Sequence, residues 1–388
     1  MFSTCLYTVK GIVMNTGTII YAGGFELPDK NAAAHRVTAN GKIFSSLGYR
    51  VVYLGTVSGG VHFDGIRQSS YSADTFEEEH PEGTAQWIAQ TVDLRNLKAV
   101  ADKYSDVRMV IVYNVPYLYF RLAKAFFSKR GIKVVYDCTE WSTYSVGNAL
   151  KRTIKRADEY LIENRLGKKA DGLIVISEMM RKKYASHPRL LVLPPLVDIS
   201  DPVWNQSVSR GDGIFEFCFA GSVGGAKESI DAILGAFSGI AAEKTRLRIV
   251  GITKDEFINK YPDKKELTEN SAVVFMGRVP HDEAVKTVLS CDCYIFIRVS
   301  DKRNNAGFPT KFVEATTCGV PLITTGVSDI RGFVSDNSII LDNADEKGIA
   351  GAMLAMINGS DSKKRPLCGT FHYAGYIGRC RDWLESFE

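Results

Sequence analysis

Short apolar segments alternate with amphipathic segments along almost the whole of this chain, and this alternation limits its fold more than any other feature. The apolar segments are rich in β-branched and aromatic residues and stop at glycine or polar residues, as strands do. In the first half of the chain they read TIIYAGG, RVVYLG, RMVIVYN, KVVYDCTEW and GLIVISE. Continuous apolar strands separated by helical segments predict a parallel sheet that is covered on both faces.

A second series of the same kind follows a proline-containing stretch without periodicity, LVLPPLVDISDPVWNQ. Its strands read FEFCFAGS, RLRIVG, AVVFMGR, CYIFIRV, VPLITT and SIILDN. The sequence therefore predicts an α/β protein with two tandem, doubly wound Rossmann-like domains facing across a cleft. We place these domains at residues 17–198 and 199–370, with an extension at 1–16 to which no role is assigned. Residues 371–388 form a predicted C-terminal helix that packs back on the N-terminal domain.

Composition and cysteine usage are those of an ordinary globular protein. With 388 residues, of which 45% are hydrophobic and 24% charged, the chain can bury a large core in two domains. Neither end carries an 18-residue apolar run or the pattern of a secretory signal, so we expect a cytoplasmic protein. Eight cysteines without a C-x-x-C pair, mostly inside apolar segments, predict reduced and buried thiols rather than a disulfide framework or a zinc site.

Positive charge is concentrated in the first half of the chain. The residues up to Asp198 contain 26 Lys+Arg against 19 Asp+Glu, whereas the whole chain has a net charge of +4. One helical segment carries Lys151, Arg152, Lys155 and Arg156. Such a face suits an anionic lipid surface, which would place the protein at the inner face of the membrane, but an ordinary solvated helix face explains the same charges. We expect no nucleic-acid partner.

The stretch AGFPTKFVEATTCGVPLITT predicts a short helix that opens onto an anion site. Pro309 suits the first helical position and Gly319 the position after the end, so the predicted helix runs from Pro309 to Cys318. The first turn of a helix has unpaired N–H groups and a partial positive charge, which attract phosphate. Lys311 adds a full positive charge at that end.

Glu314 lies one turn behind this anion site and shares a helix face with Thr310. A carboxylate there can accept two hydrogen bonds from a vicinal diol such as that of a ribose. Gly307 would let the backbone approach a ligand closely. The arrangement indicates a nucleotide site. The alternative is that Glu314 merely pairs with Lys311 and that Gly307 only turns the chain.

The same stretch, GFPTKFVEATTCGVPLITT, resembles the C-terminal signature of family-4 retaining glycosyltransferases, whose two-domain architecture is called GT-B. YAGGFELPDKNAAAHRVTANGKIFSSLGYRVVYLG, DGLIVISEMMRKKY, VLPPLVD and FAGSVGGAKESID lie where the recurrent segments of that family would lie. The resemblance runs from about Gly17 to the C-terminus. It implies transfer of a sugar from a nucleotide-diphosphate donor, with retention of anomeric configuration and no obligatory metal. We expect no cofactor, and the basic helices motivate the hypothesis that the acceptor is a glycan or a lipid-linked sugar.

The resemblance also assigns roles to particular residues. Glu314 would hold the donor ribose and Lys227 would neutralise the diphosphate. Gly23 and Gly24 would form a glycine loop against the donor phosphate. The predicted donor-binding residues are Gly23, Gly24, Lys227, Arg278, Gly307, Phe308, Thr310, Lys311 and Glu314. The predicted catalytic residues are Lys227, Arg298, Glu140 and His35.

The chain departs from the family pattern at three places. Ala306 stands where the family often has a first glutamate, so the donor sugar is undetermined. Ser222 replaces a common arginine, and we expect Arg298 to supply that charge, although it would also suit a solvated strand end. The third is a strand-end loop that lacks the family histidine. There Glu140 is a candidate sugar contact or only a helix cap, and the ring of Trp141 could stack on a sugar face. His35 is a candidate cleft residue or an ordinary helix histidine.

Three other functions fit the sequence less well. A nicotinamide dehydrogenase would need G-x-G-x-x-G after the first strand, where Phe25 interrupts the spacing. A metal-dependent transferase would need a D-x-D-like carboxylate pair, whereas Asp137 and Glu140 are three residues apart. A catalytically inactive nucleotide-sugar or glycan binder remains the main alternative, because both Ala306 and Ser222 replace family residues.

Overall fold

The computed structural model describes residues 16–58, 62–141, 149–208, 213–221, 229–240, 244–342, 344–359 and 366–388. Its strands are β1 Gly17–Gly23, β2 Tyr49–Val57, β3 Arg67–Gln68, β4 Thr75–Glu79, β5 Val107–Tyr113, β6 Lys133–Cys138, β7 Gly172–Val175, β8 Leu190–Val192, β9 Phe215–Ala220, β10 Thr245–Val250, β11 Val273–Gly277, β12 Cys293–Phe296, β13 Leu322–Thr325 and β14 Ile339–Leu341.

The helices lie between these strands. They are α1 Ala32–Ser46, α2 Gly83–Gln90, α3 Arg95–Ala101, α4 Tyr117–Ser128, α5 Ala149–Arg165, α6 Glu178–Lys183, α7 Ile230–Ile240, α8 Lys254–Lys260, α9 His281–Ser290, α10 Lys302–Ala306, α11 Thr310–Thr317, α12 Glu346–Asn358 and α13 Ile377–Glu385.

Two sheets of mostly parallel strands confirm the predicted fold class. The first has eight strands in the order β3-β4-β2-β1-β5-β6-β7-β8, and the second has six in the order β11-β10-β9-β12-β13-β14. Parallel pairing joins β1 to both β2 and β5, and joins β9 to both β10 and β12. In both sheets the strand order reverses beside the first strand, which is the pattern of a doubly wound sheet.

Every strand predicted from the sequence is present, and three further strands were not predicted. β4 has the sequence TFEEE, in which three of the five residues are glutamates, so the strand lacks an apolar pattern. Its partner β3 has two residues and is the antiparallel strand at the sheet edge. β8 has three residues and lies just before the prolines of the connecting stretch. Short or polar edge strands are the ones that hydrophobic pattern detects least well.

Apolar strands and helix faces form the core of the second sheet. Phe217 and Phe219 are two residues apart in β9 and lie on the same face of the sheet. Both are fully buried against α7, together with Leu247 and Ile249 of β10. α7 contributes a buried apolar stripe to the same core. Complete burial of such side chains is the largest favourable term in the stability of this sheet.

The described residues form two compact units. The first contains the residues up to Tyr136 together with Ile377–Glu388, and the second runs from Asp137 to Tyr376. In the first unit the C-terminal helix α13 packs beside α1 and buries Cys380, Trp383 and Leu384. The domain boundaries predicted at residues 198 and 370 stay predictions.

Most of the described cysteines are buried thiols. Seven cysteines are free thiols and six of these are buried, as expected of packed, reduced residues, while Cys5 lies outside the described residues. In the described part of the chain, no helix combines the length and the apolar character needed to cross a bilayer. The predicted basic helix is α5, in which Arg152 and Arg156 are exposed and Lys151 and Lys155 are half-buried.

Candidate active site

The helix that carries Glu314 begins one residue later than predicted. Pro309 is the N-cap residue of α11, with extended torsions of φ −73° and ψ 114°, and Thr310 is the first helical residue. Gly319 follows the helix with φ +66°, a conformation that favours glycine, as expected. The first N–H groups of any helix point out of its N-terminus, and because Pro309 has no side-chain oxygen to cap those of α11, an anion can accept from them.

Lys311 extends from this helix to the end of strand β9. A Cβ atom built on Gly221, the residue after β9, would overlap Cε and Nζ of Lys311. The Lys311 ammonium also lies 5.0 Å from the ring centroid of Phe219 in the same strand. Gly221 has φ +154°, a conformation that favours glycine, and the Lys311 side chain crosses the space that a Cβ would fill. The structure thus places a cation at the carboxyl end of β9.

Glu314 lies beside a histidine that the sequence does not indicate as a neighbour. Its Oε1 lies 3.5 Å from Nε2 of His281, and the two side chains are 29% and 30% exposed. Lys311, three residues earlier on α11, is turned toward Gly221. The structure thus places a carboxylate beside His281 and a cation beside Gly221 on the same short helix.

Gly307 lies at the junction of three loops. Its carbonyl accepts a hydrogen bond from the Ser328 hydroxyl, and the Ser328 N–H donates to Asn305 Oδ1 at 2.9 Å. A Cβ on Gly307 would lie 3.7 Å from the carbonyl oxygen of Thr139, an ordinary contact distance. Protein packing alone therefore does not require glycine here. The same geometry brings the loop containing Glu140 beside Gly307.

Phe308 supports the site through packing. Its ring is 7% exposed and lies in an aromatic cluster with Phe312, Phe333 and Phe371. The three centroid distances from Phe308 are 6.2, 5.8 and 5.8 Å, within the range of favourable edge-to-face contacts. A donor contact at Phe308 would consequently come from its backbone.

Ala306, which replaces the first family glutamate, is completely buried. Its carbonyl accepts a 2.6 Å hydrogen bond from the hydroxyl of Ser177, the N-cap residue of α6. The next backbone N–H along α6, that of Glu178, donates to Asp329 Oδ2 at 2.6 Å. Burial raises the pKa of the Asp329 carboxyl. The start of α6 thus fixes the loops before α11 and after β13.

Arg298 follows β12 as predicted and is joined to the end of β13. Its backbone N–H donates to Thr325 Oγ1 at 3.0 Å, and its carbonyl accepts from the same hydroxyl at 2.6 Å. The guanidinium carbon lies 4.9 Å from the ring centroid of Phe296. Because β9, β12 and β13 are parallel neighbours, Arg298 and Lys311 approach the same edge of the second sheet.

Glu140 is exposed just after β6, whereas Trp141 is not available for stacking on a sugar. The Trp141 ring is 4% exposed, and the Lys302 ammonium lies 5.0 Å from its centroid. Lys302 also pairs with Glu163 at 2.5 Å. The sequence interpretation that an open tryptophan face lies beside Glu140 is therefore wrong, because a lysine covers that ring.

Three predicted residues lie in the first compact unit. Gly23 ends β1 with φ +154°, and Gly24 is exposed, with no described atom within 4 Å of a Cβ built on it. The glycine loop leads to Asn31, which caps α1 by accepting from the Ala34 N–H at 2.8 Å. His35 is half-buried on α1. The predicted loop and helix start are present.

Two further predicted cations remain. Arg278 follows β11 and donates to Glu256 Oε1 at 2.6 Å, with a side chain that is 72% exposed. The backbone N–H of Thr253 and the Arg278 guanidinium lower the pKa of Glu256. Lys227 and Ser222 lie outside the described residues.

Sequence reasoning missed four residues that shape this site: Gly221, His281, Ser177 and Asp329. Gly221 has a visible signal, since glycine directly after a buried strand marks a close approach. Ser177 also has one, because serine after a strand and before EMMRKK is typical of an N-cap. His281 and Asp329 have none, because their partners are distant in sequence.

Metal ions require a set of ligand side chains that lie close together. Among the residues that are described, no three His, Cys, Asp or Glu side chains form a group that could hold a metal ion. The prediction of a metal-free site stays a prediction.

The comparisons with known proteins agree with this geometry. Residues 215–359 match the family described as Glycosyl transferases group 1, a segment that contains the second sheet, Lys311 and Glu314. No curated protein sequence gives a significant match to the chain.

Solved structures resemble the chain over nearly its full length. The catalytic domain of starch synthase IV from Arabidopsis thaliana, bound to ADP and acarbose, has a TM-score of 0.70 at 8% identity, covering 95% of this chain and 99% of that one. Sucrose-phosphate synthase from Thermosynechococcus elongatus has a TM-score of 0.67 at 12% identity, covering 96% of this chain and 99% of that one. HepE from Anabaena, in complex with UDP and glucose, has a TM-score of 0.65 at 11% identity, covering 95% of this chain and 100% of that one. These likenesses show that the fold is that of GT-B glycosyltransferases.

Proposed function

We propose that this protein is a glycosyltransferase that uses a nucleotide-diphosphate sugar as its donor. The observation that carries the proposal is the pair of side chains on α11, with Lys311 at the end of β9 and Glu314 one turn further along. A cation and a carboxylate at this spacing suit a diphosphate and a ribose diol. The family match over residues 215–359 supports the same reading.

The chemistry of leaving-group departure supports the choice of residues. When the bond between the anomeric carbon and the diphosphate oxygen breaks, negative charge develops on the diphosphate. Lys311, Arg298 and the N–H groups at the start of α11 are positive groups at one edge of the second sheet. Fixed positive groups that meet developing charge stabilise a transition state by a few kcal/mol, on the order of 3 kcal/mol for one donor.

The finer assignments follow the family resemblance. We propose that the transfer retains anomeric configuration, that it needs no metal and that the acceptor is a glycan or a lipid-linked sugar. Glu140 beside Gly307 is the proposed sugar or acceptor contact. HepE and starch synthase IV were crystallised with UDP and ADP respectively, so UDP and ADP sugars are the first donors to test. The exposed arginines of α5 are the proposed contact with an anionic membrane.

A nucleotide-sugar binder without turnover is the second candidate. The buried Ala306, whose carbonyl is bonded to Ser177, favours it, because no carboxylate stands where relatives have one. Release of nucleoside diphosphate from a panel of donors and acceptors separates the two functions. Binding without release across the panel would support the binder, and release would support the transferase.

Thermal unfolding with UDP, ADP and GDP tests the nucleotide site directly. A ligand at a hundredfold excess over its Kd should raise Tm by about 5 °C, since it binds only the folded protein. Glu314→Ala should remove most of this increase for the preferred nucleotide. Glu266→Ala, which removes an exposed glutamate from another element, is the matched control and should respond like the wild type. An unchanged response of Glu314→Ala would reject the ribose assignment.

Product stereochemistry and chelation test the remaining assignments. NMR of the first product should show the anomeric configuration of the donor, and inversion would reject the retaining mechanism. Activity should be unchanged after treatment with EDTA, and its loss with recovery on adding a divalent cation would reject metal independence. Binding to vesicles containing anionic lipid should fall in Arg152→Ala/Arg156→Ala, and unchanged binding would reject the membrane contact.

A further inference from the structure

His281 occupies a position next to the proposed ribose ligand that the sequence interpretation did not assign. It is the first residue of α9, directly after Pro280, and its Nε2 lies 3.5 Å from Glu314 Oε1. Both side chains are about one-third exposed, whereas the Nε2 atom of His281 is itself buried and at 3.5 Å forms no hydrogen bond with Glu314, so a ligand would reach the pair through the carboxylate.

The position of His281 is fixed by the packing of its helix. α9 buries Val285, Val288 and Leu289, and the carbonyl of Pro280 accepts from the Ala284 N–H at 3.0 Å. The first turn is also bonded from outside, because the Gln206 amide donates to the Asp282 carbonyl at 2.8 Å. The imidazole therefore has a rigid base, which is a condition for positioning another side chain.

Three other titratable side chains in and around the second sheet have contacts of their own. Lys311 lies over Gly221 and the Phe219 ring, and Arg278 pairs with Glu256. Tyr294 donates its hydroxyl to the Ala220 carbonyl at 2.7 Å. Burial raises the pKa of Tyr294, and the negative charge of Glu314 adds to that increase.

We propose that His281 is a positioning residue that holds the Glu314 carboxylate for a ribose. The Nε2–H group would donate to Oε1, which fixes the side-chain rotamer and leaves Oε2 for the hydroxyls of the ligand. This inference rests on the proposed function, and it concerns recognition of the 2′,3′-diol of a nucleoside diphosphate. It predicts that His281 contributes to discrimination between ribose and 2′-deoxyribose, which a residue that only stabilises the fold would not do.

Calorimetric titration of the full chain with UDP, ADP and their 2′-deoxy forms tests the inference. His281→Ala should weaken binding of the preferred ribonucleotide about tenfold, as expected when a charged hydrogen bond is lost. The 2′-deoxy form should lose less affinity, so the preference for ribose should fall. His281→Gln, whose amide can donate to Oε1, should stay within about threefold of wild type. If His281→Ala does not fold, an affinity for His281→Gln within that range and an unchanged ribose preference support the proposal.

His62→Ala is the matched control, because it removes another histidine–glutamate pair, His62 Nδ1 with Glu79 Oε1 at 2.6 Å, from β4 of the first sheet. It should bind nucleotide like the wild type. If His281→Ala keeps full affinity and ribose preference while Glu314→Ala loses them, the inference is overturned and the proposed function stands. If the wild type binds no nucleoside diphosphate, both are overturned. Loss of ribose preference in His281→Gln equal to that in Glu314→Ala would also overturn the amide-donor account.

Discussion

In each sheet the first strand along the chain leads to a glycine with the same φ, and the two glycines have different structural reasons. Gly23 at the end of β1 and Gly221 after β9 both have φ +154°. A Cβ on Gly23 would lie 2.5 Å from the Tyr113 carbonyl oxygen and 2.9 Å from its Cβ, whereas a Cβ on Gly221 would meet the Lys311 side chain. The first glycine is required by a neighbouring strand, whereas the second is favoured by its φ and leaves space for a flexible lysine side chain. One residue type thus serves packing in one sheet and a candidate anion site in the other.

The largest effect on stability should come from Gly23→Ala. The new Cβ would collide with the main chain of β5, which cannot rotate away, and the residue would keep a strained φ. The free energy of unfolding should fall by about 3 kcal/mol, measured by urea denaturation. A decrease below about 1 kcal/mol would show that the two glycines do not differ in the way proposed.

Gly221→Ala should act mainly on ligand binding. The Lys311 side chain can move aside, so the unfolding free energy should fall by only about 1–2 kcal/mol, the strain of the backbone. Displacement of the ammonium from the end of β9 should weaken nucleoside diphosphate binding about tenfold, measured by calorimetry.

A double variant separates displacement of the lysine from damage to the loop. Lys311→Met alone should weaken nucleotide binding, and adding Gly221→Ala should cause little further loss, because the two changes remove the same interaction. Additive losses would mean that Gly221 contributes independently of Lys311.

Gly24→Ala provides a contrast within the glycine loop of the first sheet. Because no described atom lies within 4 Å of the added Cβ, the unfolding free energy should change by less than about 0.5 kcal/mol. Reduced turnover in this stable variant would indicate that a ligand approaches Gly24. Reduced stability would instead show that the loop is packed more closely than the structure indicates.

Another small effect on stability depends on pH. Burial raises the pKa of Asp329, so the folded chain holds this proton more tightly than the unfolded chain. Its contribution to stability is therefore complete at low pH and falls as pH rises above about 4, the usual carboxyl range. Asp329→Asn should lack this loss and become more stable than wild type toward neutral pH, by less than about 1 kcal/mol because the group is half-exposed. Equal pH profiles in denaturation experiments would contradict this expectation.

The sequence predicted most of the fold because the strands that matter are buried on both faces. Apolar runs such as VIVY before Asn114 and FCFA before Gly221 are continuous and have clear ends. The acidic strand β4 was missed because its stability comes from pairing with β2 rather than from an apolar pattern. The helix start at Pro309 was displaced by one residue, since proline is compatible with both the cap and the first turn.

The candidate site was predictable where a residue type has a local reason and not where the reason is a distant partner. Lys311 and Glu314 follow from their spacing on a short helix. The contact between Glu314 and His281 depends on α9, which lies about thirty residues earlier, and no local pattern indicates it. Trp141 was misread because only the fold places Lys302 over its ring. The same limit applies to Ala306, whose bond to Ser177 spans 129 positions.

The aromatic cluster beneath Phe308 has a practical consequence for defining the smallest functional fragment. Phe371 comes from a segment that follows the last strand of the second sheet, yet its ring contacts both Phe308 and Phe312. The backbone N–H of Cys368 also donates to Thr317, the last residue of α11. A shortened protein that stops after α12 would retain every residue proposed to bind the donor, but it would lose the Phe371 ring that packs against Phe308 and Phe312. Boundaries drawn by the positions of ligand residues alone would therefore give an inactive fragment, and dissection should keep the chain at least through Phe371.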